Sequence, residues 1–407
     1  MENVSRLKLI SVAAGAFCMM CCNGIINNST TYFITSVTKY LNCSKTEFSI
    51  YFTIITICSA IMSLGVMSFI RKIGLRTGML IACVMVSCAF FLMSRLQSLW
   101  MVYAAAALIG IFQSFIVVPT ISVINAWYKD RSSSVTGVVM SASGFGGLAM
   151  GLIMPSVVAN LSWRTGYLVC AVIFMLVSGI ACLLAGGKPP ANTAADNKAQ
   201  SGAVSKNSEE YRRLLHSPGF WLLIATALVL GGCNMISQHF SVLLDMRGYD
   251  VTVVSIVMGS LSIALALFKI IEGLLCEHIP AKIFVPAAFM MGTVSFLCLL
   301  NRGTAMLIVG IIGYGAAAAG CTVLYPIVMR YLYGPELATA TWGICWAAFM
   351  ASQAMWTPFY ASVYDRTGSY DAGLITAAVL GTLSAAALGF LLVRKDKSNK
   401  SLNTVGQ

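Results

Sequence analysis

Long apolar stretches alternate with short polar breaks along the whole chain. The apolar stretches are about 20 residues or longer, the length that an α-helix needs to cross the hydrocarbon core of a bilayer. Twelve such stretches can be counted. The predicted helices cover 8–38, 47–70, 75–94, 98–127, 133–159, 163–186, 217–244, 251–275, 281–300, 303–332, 336–363 and 370–393. The pattern therefore predicts an all-α integral membrane protein with twelve transmembrane helices.

One break differs from the others in length and composition. Residues 187–214 are polar, rich in small side chains and open with a Lys-Pro-Pro sequence, which is typical of a flexible linker. This linker divides the chain into an N-terminal six-helix half (1–186) and a C-terminal six-helix half (215–395), followed by a short tail (396–407). We therefore expect two six-helix bundles.

Composition supports a membrane protein. Of 407 residues, 58% are hydrophobic and 10% are charged, whereas soluble domains carry about 25% charged residues. The 14 cysteines lie almost entirely within apolar segments, which favours packing over metal or redox chemistry. The chain contains no G-x-x-x-x-G-K-[ST], H-E-x-x-H or G-x-S-x-G sequence. We predict that it is not an enzyme and uses no cofactor or metal.

The basic residues indicate the orientation of the helices. The net charge is +12, but the basic residues are spread over the breaks, so nucleic acid is not an expected partner. With both termini in the cytoplasm, 18 of the 26 Lys and Arg residues lie inside, 7 lie outside and Lys269 is within a helix. Such a bias follows the positive-inside rule. We expect a multi-pass protein of the plasma (cell inner) membrane, monomeric in the bilayer.

Lys269 and Glu272 are a charged pair deep within an apolar stretch, the eighth predicted helix. A charge at this depth costs about 2.5–3.5 kcal/mol on insertion scales, so such residues usually bind a partner, an ion or a substrate. Their i, i+3 spacing places both on one helix face. Lys269 is a candidate for binding an anionic substrate, and Glu272 for carrying a proton. A structural ion pair with a neighbouring helix is the alternative.

Other polar and aromatic side chains recur at helical spacing in the first, seventh and eleventh predicted helices. The further candidates for substrate binding are Asn23, Asn27, Asn234, Gln238, Trp346 and Gln353. His239 is a second candidate for proton coupling, and Gln113 and Tyr325 are additional polar candidates. Hydrogen bonding between helices or core packing would explain the same residues. Gly144, Gly147 and Gly151 have the spacing of a close helix–helix contact.

The layout of two six-helix halves resembles the major facilitator superfamily. Residues 67–76 and 273–282 resemble the loop motif G-x-x-x-D-[RK]-x-G-[RK]-[RK] of that superfamily, although Arg71 and Pro280 depart from it. The resemblance implies a cytoplasmic gate held by charge pairing. The residues that we assign to it are Lys72, Arg76, Lys129, Arg131 and Glu277.

A second resemblance concerns one branch of that superfamily. The segment from Asn125 to Gly147, with an aromatic pair, a basic turn and a glycine-studded helix, looks like the monocarboxylate porters and the oxalate/formate antiporters. Those families bind the substrate carboxylate with a cation in the eighth helix, which Lys269 matches. The second cation of dicarboxylate exchangers is replaced by Phe349, so the resemblance implies a monoanion or a zwitterion.

These observations favour a secondary transporter that moves a small organic anion, which we expect to be a monocarboxylate. It would work by alternating access, coupled to protons or by exchange. A proton-coupled exporter of drugs or other metabolites with the same fold is the alternative within transport. A membrane sensor that binds a ligand without net transport is the alternative outside it.

Overall fold

The computed structural model describes residues 2–128, 131–185, 209, 211–301 and 303–405. Every regular element in these ranges is helical. The first part of the chain forms α1 (Glu2–Ser29), α2 (Ile34–Leu41), α3 (Lys45–Ile73), α4 (Leu75–Ser94), α5 (Leu99–Trp127), α6 (Ser132–Asn160) and α7 (Trp163–Ala185). The second part forms α8 (Pro218–Cys233), α9 (Phe240–Met246), α10 (Val251–His278), α11 (Ala281–Leu300), α12 (Thr304–Thr367) and α13 (Asp371–Val405).

The all-α membrane fold is confirmed. Within the described ranges, eleven helices are long and apolar enough to cross a bilayer. The 64 residues of α12 include two predicted helices, which meet at Gly334. Gly334 has φ +81° and ψ 166°, a conformation that glycine adopts without strain, and Pro335 follows it. The break divides α12 into segments 304–333 and 335–367, which correspond to the tenth and eleventh predicted helices.

Two predicted helices are interrupted. The first (8–38) consists of α1, a 3₁₀ segment at Thr30–Tyr32 and α2, and the seventh (217–244) consists of α8, a 3₁₀ segment at Asn234–His239 and α9. Both interruptions lie in polar stretches rich in Asn, Ser or Thr, whose side chains compete for backbone hydrogen bonds. The sequence predicted one continuous helix in each case, because the residues on either side of the interruption are hydrophobic.

The ends of the second part also differ from the prediction. The predicted linker lies mostly outside the described residues, but 211–215 are helical and Leu214 is buried. The residues predicted as a tail continue α13 as far as Val405. Lys282 Nζ at the start of α11 donates to Asp396 Oδ2 at 2.6 Å, which holds the extension of α13 beside α11.

The chain divides into two compact units, residues 1–188 and 189–407. In the first unit, α1 packs against α5, α6 and α7, and α5 also packs against α3 and α4. The backbones of α1 and α6 touch at Gly24 and Gly146: a Cβ on Gly24 would overlap the Ser143 carbonyl, and one on Gly146 would overlap the Cys21 carbonyl. The sequence predicted a close contact at Gly144, Gly147 and Gly151, whereas the tight approaches between α1 and α6 are those of Gly24 and Gly146.

The start of α3 is fixed by a capping box. Ser44 Oγ accepts a hydrogen bond from the Glu47 backbone N–H, and the Glu47 carboxylate accepts one from the Ser44 backbone N–H at 2.7 Å. The hydrogen bonds from the Ser44 backbone and hydroxyl lower the pKa of the Glu47 carboxyl. Glu47 therefore stays ionised at the positive N-terminus of α3.

In the second unit, α12 packs against α8, α10 and α11, and α13 packs against α8 and α11. Aromatic rings from α9, α11 and α12, and from Tyr370 just before α13, fill one core. It includes Phe240, Phe296, Tyr314, Tyr360 and Tyr370. This core surrounds the 3₁₀ segment Asn234–His239, so the interruption of the seventh predicted helix is embedded in well-packed side chains.

Candidate functional site

The charged pair predicted from the sequence lies on the buried face of α10. Lys269 is 9% exposed and Glu272 is 2% exposed, whereas Ile271 and Leu274 on another face of the helix are 42% and 45% exposed. α10 packs against α12, and Glu272 lies on the side of α10 near Cys321 of α12. The pair is thus enclosed by protein, on the side of α10 away from its exposed apolar residues.

The Glu272 carboxyl is poorly satisfied. It interacts electrostatically with Lys269, but neither of its oxygens has a hydrogen-bond partner in the part of the chain that the structure describes. An ionised carboxylate without hydrogen-bond donors is costly in an apolar interior. Binding a proton would remove that cost. The arrangement therefore suits a carboxyl that changes its protonation state and a cation that accepts an anion.

The 3₁₀ segment is tied to α12 through Asn234. Asn234 Nδ2 donates to Cys321 Sγ at 2.8 Å, and the Asn234 carbonyl accepts hydrogen bonds from the hydroxyls of Tyr314 and Ser237. The predicted candidate Asn234 therefore already bonds between helices, through a cysteine that lies near Glu272. Sequence reasoning missed Cys321, because a cysteine in an apolar helix looks like any packing residue. The side chain of Gln238 lies outside the described atoms.

His239 ends the 3₁₀ segment. Its Nδ1 lies 3.1 Å from the Tyr370 hydroxyl and its ring packs on Tyr370 at 5.2 Å between centroids. Its Nε2 is buried and has no hydrogen-bond partner among the described residues. One ring nitrogen is therefore held by Tyr370, just before α13, and the buried ring also meets the Thr357 backbone of α12.

Aromatic side chains of α12 form a continuous group. Trp342 packs on Trp346 at 6.2 Å, Trp346 on Phe349 at 6.4 Å, and Phe349 on Tyr325 at 5.0 Å between ring centroids. Both indole N–H groups are buried without a hydrogen-bond partner among the described residues. Gln353, two turns beyond Trp346, is half-buried. The group is a row of packed aromatic rings, and its two indole N–H groups could still donate hydrogen bonds.

The first unit contains a cluster of three amides. Gln113 Nε2 on α5 donates to Asn23 Oδ1 at 2.7 Å and to Asn27 Oδ1 at 3.1 Å, both on α1. Asn23 and Gln113 are buried, whereas Asn27 is exposed. The structure thus unites two predicted candidates with Gln113, a residue that is 86 to 90 positions away in the sequence.

The residues predicted to form the gate lie at helix ends. Lys72 and Arg76 are exposed on either side of Gly74, which has φ +87° between α3 and α4. Arg131 is exposed before α6, and Glu277 is exposed in the last turn of α10. Lys129 lies outside the described residues. Each of these residues is thus available at a helix end of its own unit, and the gate assignment stays a prediction.

Comparison with known proteins places the chain in a family. Its similarity to the human organic anion transporter MFSD10 (TETRAN) has a TM-score of 0.64 over 95% of this chain and 99% of the other, at 15% identity, and so concerns the fold alone. Two proteins of Saccharomyces cerevisiae (strain ATCC 204508 / S288c) share shorter stretches. The uncharacterized transporter ESBP6 is 29% identical over 132 residues, and the probable transporter MCH2 is 28% identical over 88 residues.

The match to ESBP6 covers 32% of this chain and 20% of ESBP6, and the match to MCH2 covers 21% of this chain and 19% of MCH2. The chain therefore spans about a fifth of the length of these relatives. The sequence model of the Major Facilitator Superfamily, in contrast, matches residues 15–344. This match covers most of both units and agrees with the helical membrane fold. The chain therefore belongs to the Major Facilitator Superfamily and is a multi-pass membrane transporter.

Proposed function

We propose that this transporter moves a small organic monoanion, a monocarboxylate, across the plasma membrane by alternating access of its two halves. The observation that carries the proposal is the buried pair of Lys269 and Glu272 on α10. A cation and a carboxyl kept at this depth are expensive unless they have a function. Lys269 would bind the substrate carboxylate, and Glu272 would then be released from its electrostatic partner.

The lack of a second cation in the eleventh predicted helix supports a single negative charge on the substrate. The eleventh predicted helix, 336–363, contains no Lys or Arg. Phe349 in that segment is buried and packs edge-on against Tyr325. A second carboxylate would therefore meet aromatic rings in place of a cation, which would leave a desolvated charge unpaired.

Transport is coupled to protons or occurs by exchange in this proposal. When an anion occupies Lys269, the attraction between Lys269 and Glu272 is shared with the substrate, and Glu272 can take up a proton. Anion and proton would then cross together. His239 is the second candidate, since its Nε2 is buried and has no hydrogen-bond partner among the described residues. Asn23, Asn27, Asn234, Gln238, Trp346 and Gln353 remain our candidates for the remainder of the substrate.

Butanoate is expected to bind at least tenfold more tightly than butanedioate, because the latter brings a second charge without a second cation. The measurement is the thermal stability of the purified protein titrated with each acid, since ligand binding raises apparent stability by RT ln(1 + [L]/Kd). Lys269→Gln should remove the stabilisation by butanoate, whereas Lys39→Ala, at an exposed position, should keep it. Tighter binding of butanedioate or ethanedioate would contradict the assignment of a monoanion.

The orientation of the protein can be tested at residue 201. In a background carrying Cys43→Ser, Ser201→Cys should remain unlabelled by a membrane-impermeant maleimide in intact cells, because the basic bias places the linker in the cytoplasm. Permeabilised cells should label it strongly. The parent with Cys43 intact serves as the control for external labelling, since Cys43 lies in a predicted outer loop. Labelling of residue 201 from outside would reverse the proposed orientation.

A further inference from the structure

A small cavity in the first unit is lined mainly by sulfur. It lies between α1, α4, α5 and α7, and its volume is about 10 Å³. Of the seven described residues that line it, five carry sulfur: the thioethers Met19 and Met79 and the thiols Cys22, Cys83 and Cys182. This volume is about the minimum that one water molecule needs. The cavity therefore excludes an organic ligand and admits a single small particle.

The three thiols of this cavity lie near one another, although they are far apart in the sequence. Cys22 on α1 is near both Cys83 on α4 and Cys182 on α7, and the last two are also neighbours. All three are buried. A further sulfur is close, since Met175 Sδ on α7 lies 3.3 Å from Cys83 Sγ. Spacing within one helix reveals nothing of such a cluster, and the sequence therefore indicated only packing cysteines.

Water is poorly suited to this cavity. A buried water is normally held by about three hydrogen bonds to polar groups. Ser178 supplies the hydroxyl of the described lining, and this hydroxyl already lies 2.5 Å from the Phe174 carbonyl and 2.7 Å from Cys83 Sγ. Thiols and thioethers form only weak hydrogen bonds, whereas they are strong ligands of soft metal ions. The lining therefore favours an ion over a water molecule.

The mixture of ligands favours Cu(I) over zinc. Structural zinc sites use four ligands, mainly thiolates and imidazoles. Within the described ranges, no group of three or more His, Cys, Asp or Glu side chains is arranged to hold a metal ion. Cu(I) accepts thioethers beside thiolates and needs fewer ligands than zinc. Met79 and Cys83 are one turn apart on α4, a spacing that places a thioether and a thiol on the same helix face.

We propose that this cavity binds one Cu(I) ion through Cys83 and Met79, with Cys22 or Cys182 as the second thiolate. Each ligating thiol gives up its proton to solvent when the ion binds. The ion would join α4 to α1 or α7 and stabilise the first unit by mass action. The site departs from the sequence-based expectation that no metal is used. It goes beyond the proposed function and does not depend on it, because all its residues belong to the first unit.

The test is an anaerobic titration of the purified full chain with Cu(I), in competition with a chromophoric Cu(I) chelator. Wild type should bind one ion tightly. Cys83→Ala should bind it at least about tenfold more weakly, because loss of a second-shell partner alone costs about 10–100-fold in metal affinity. Cys88→Ala is the matched control, since Cys88 is an exposed thiol of the same helix, outside the cavity. It should bind Cu(I) as wild type does.

Further variants keep the proposal open to refutation. Met79→Leu conserves side-chain volume and should weaken Cu(I) binding without lowering the unfolding temperature of the metal-free protein. It decides the matter should Cys83→Ala not fold, and unchanged affinity in Met79→Leu would then refute the site. A loss of affinity in Cys22→Ala or Cys182→Ala identifies the second thiolate, and a loss in neither refutes the proposal. No tight Cu(I) binding by wild type, or equal effects of Cys83→Ala and Cys88→Ala, would refute it as well.

Discussion

Lys269→Gln is expected to abolish anion binding, whereas Glu272→Gln is expected to bind the anion and lose accumulation driven by a pH gradient. Lys269 supplies the positive charge that holds the carboxylate, so its loss removes binding itself. Glutamine at position 272 resembles the protonated carboxyl, so it preserves the substrate-bound state but can no longer take up or release a proton. Exchange of labelled against unlabelled substrate should continue in Glu272→Gln, because exchange requires no net proton movement.

The measurement is uptake into proteoliposomes with and without an imposed pH gradient, beside counterflow exchange in the same vesicles. We expect gradient-driven accumulation by Glu272→Gln to fall at least tenfold. Glu209→Gln and Lys39→Ala, which change exposed residues, are the matched controls and should transport as wild type does. Undiminished gradient-driven uptake by Glu272→Gln would remove Glu272 from the coupling mechanism and leave Lys269 as an anion site.

A merely structural ion pair predicts a different result. Removing one member of a buried pair leaves the other uncompensated, which typically destabilises a protein by about 3–5 kcal/mol. Both variants would then lose monodispersity and melt at lower temperature, and neither would separate binding from coupling. Thermal unfolding in detergent, measured before reconstitution, therefore distinguishes a pair that holds helices together from one that moves a proton.

The fold was largely predictable because it depends on the length of apolar segments, which the sequence states directly. The bilayer requires about 20 apolar residues per crossing, so helix positions and the charged pair on α10 followed from counting. The 3₁₀ interruptions at Thr30–Tyr32 and Asn234–His239 did not. Hydropathy averages over a window and is insensitive to a few backbone hydrogen bonds that shift from one carbonyl to another.

The candidate site was predictable only in part, because partners distant in sequence have to be brought together by packing. Asn23 and Asn27 could be recognised as sharing a face of one helix, but nothing in the sequence assigns Gln113 as their partner. The bond from Asn234 to Cys321 joins residues 87 positions apart. Spacing within a helix was therefore informative, whereas contacts between helices required the structure.

Gly146→Val is expected to prevent formation of a stable protein, because it separates α1 from α6. A Cβ on Gly146 would overlap the backbone carbonyl of Cys21, and backbone atoms cannot rotate away as a flexible side chain would. Overpacking of an ordinary core costs about 1–3 kcal/mol, and a clash with a helix backbone should exceed that range.

Gly179→Val is the matched control, since a Cβ there meets no atom within 4 Å. It makes the same change within a membrane helix of the same unit, α7, so a general effect of valine on helix propensity would appear in both variants. The yield of monodisperse protein and the unfolding temperature in detergent should fall sharply for Gly146→Val and change little for Gly179→Val. Equal stability of the two variants would show that α1 and α6 can move apart at little cost. The glycine at position 146 would then be dispensable for the packing of the first unit.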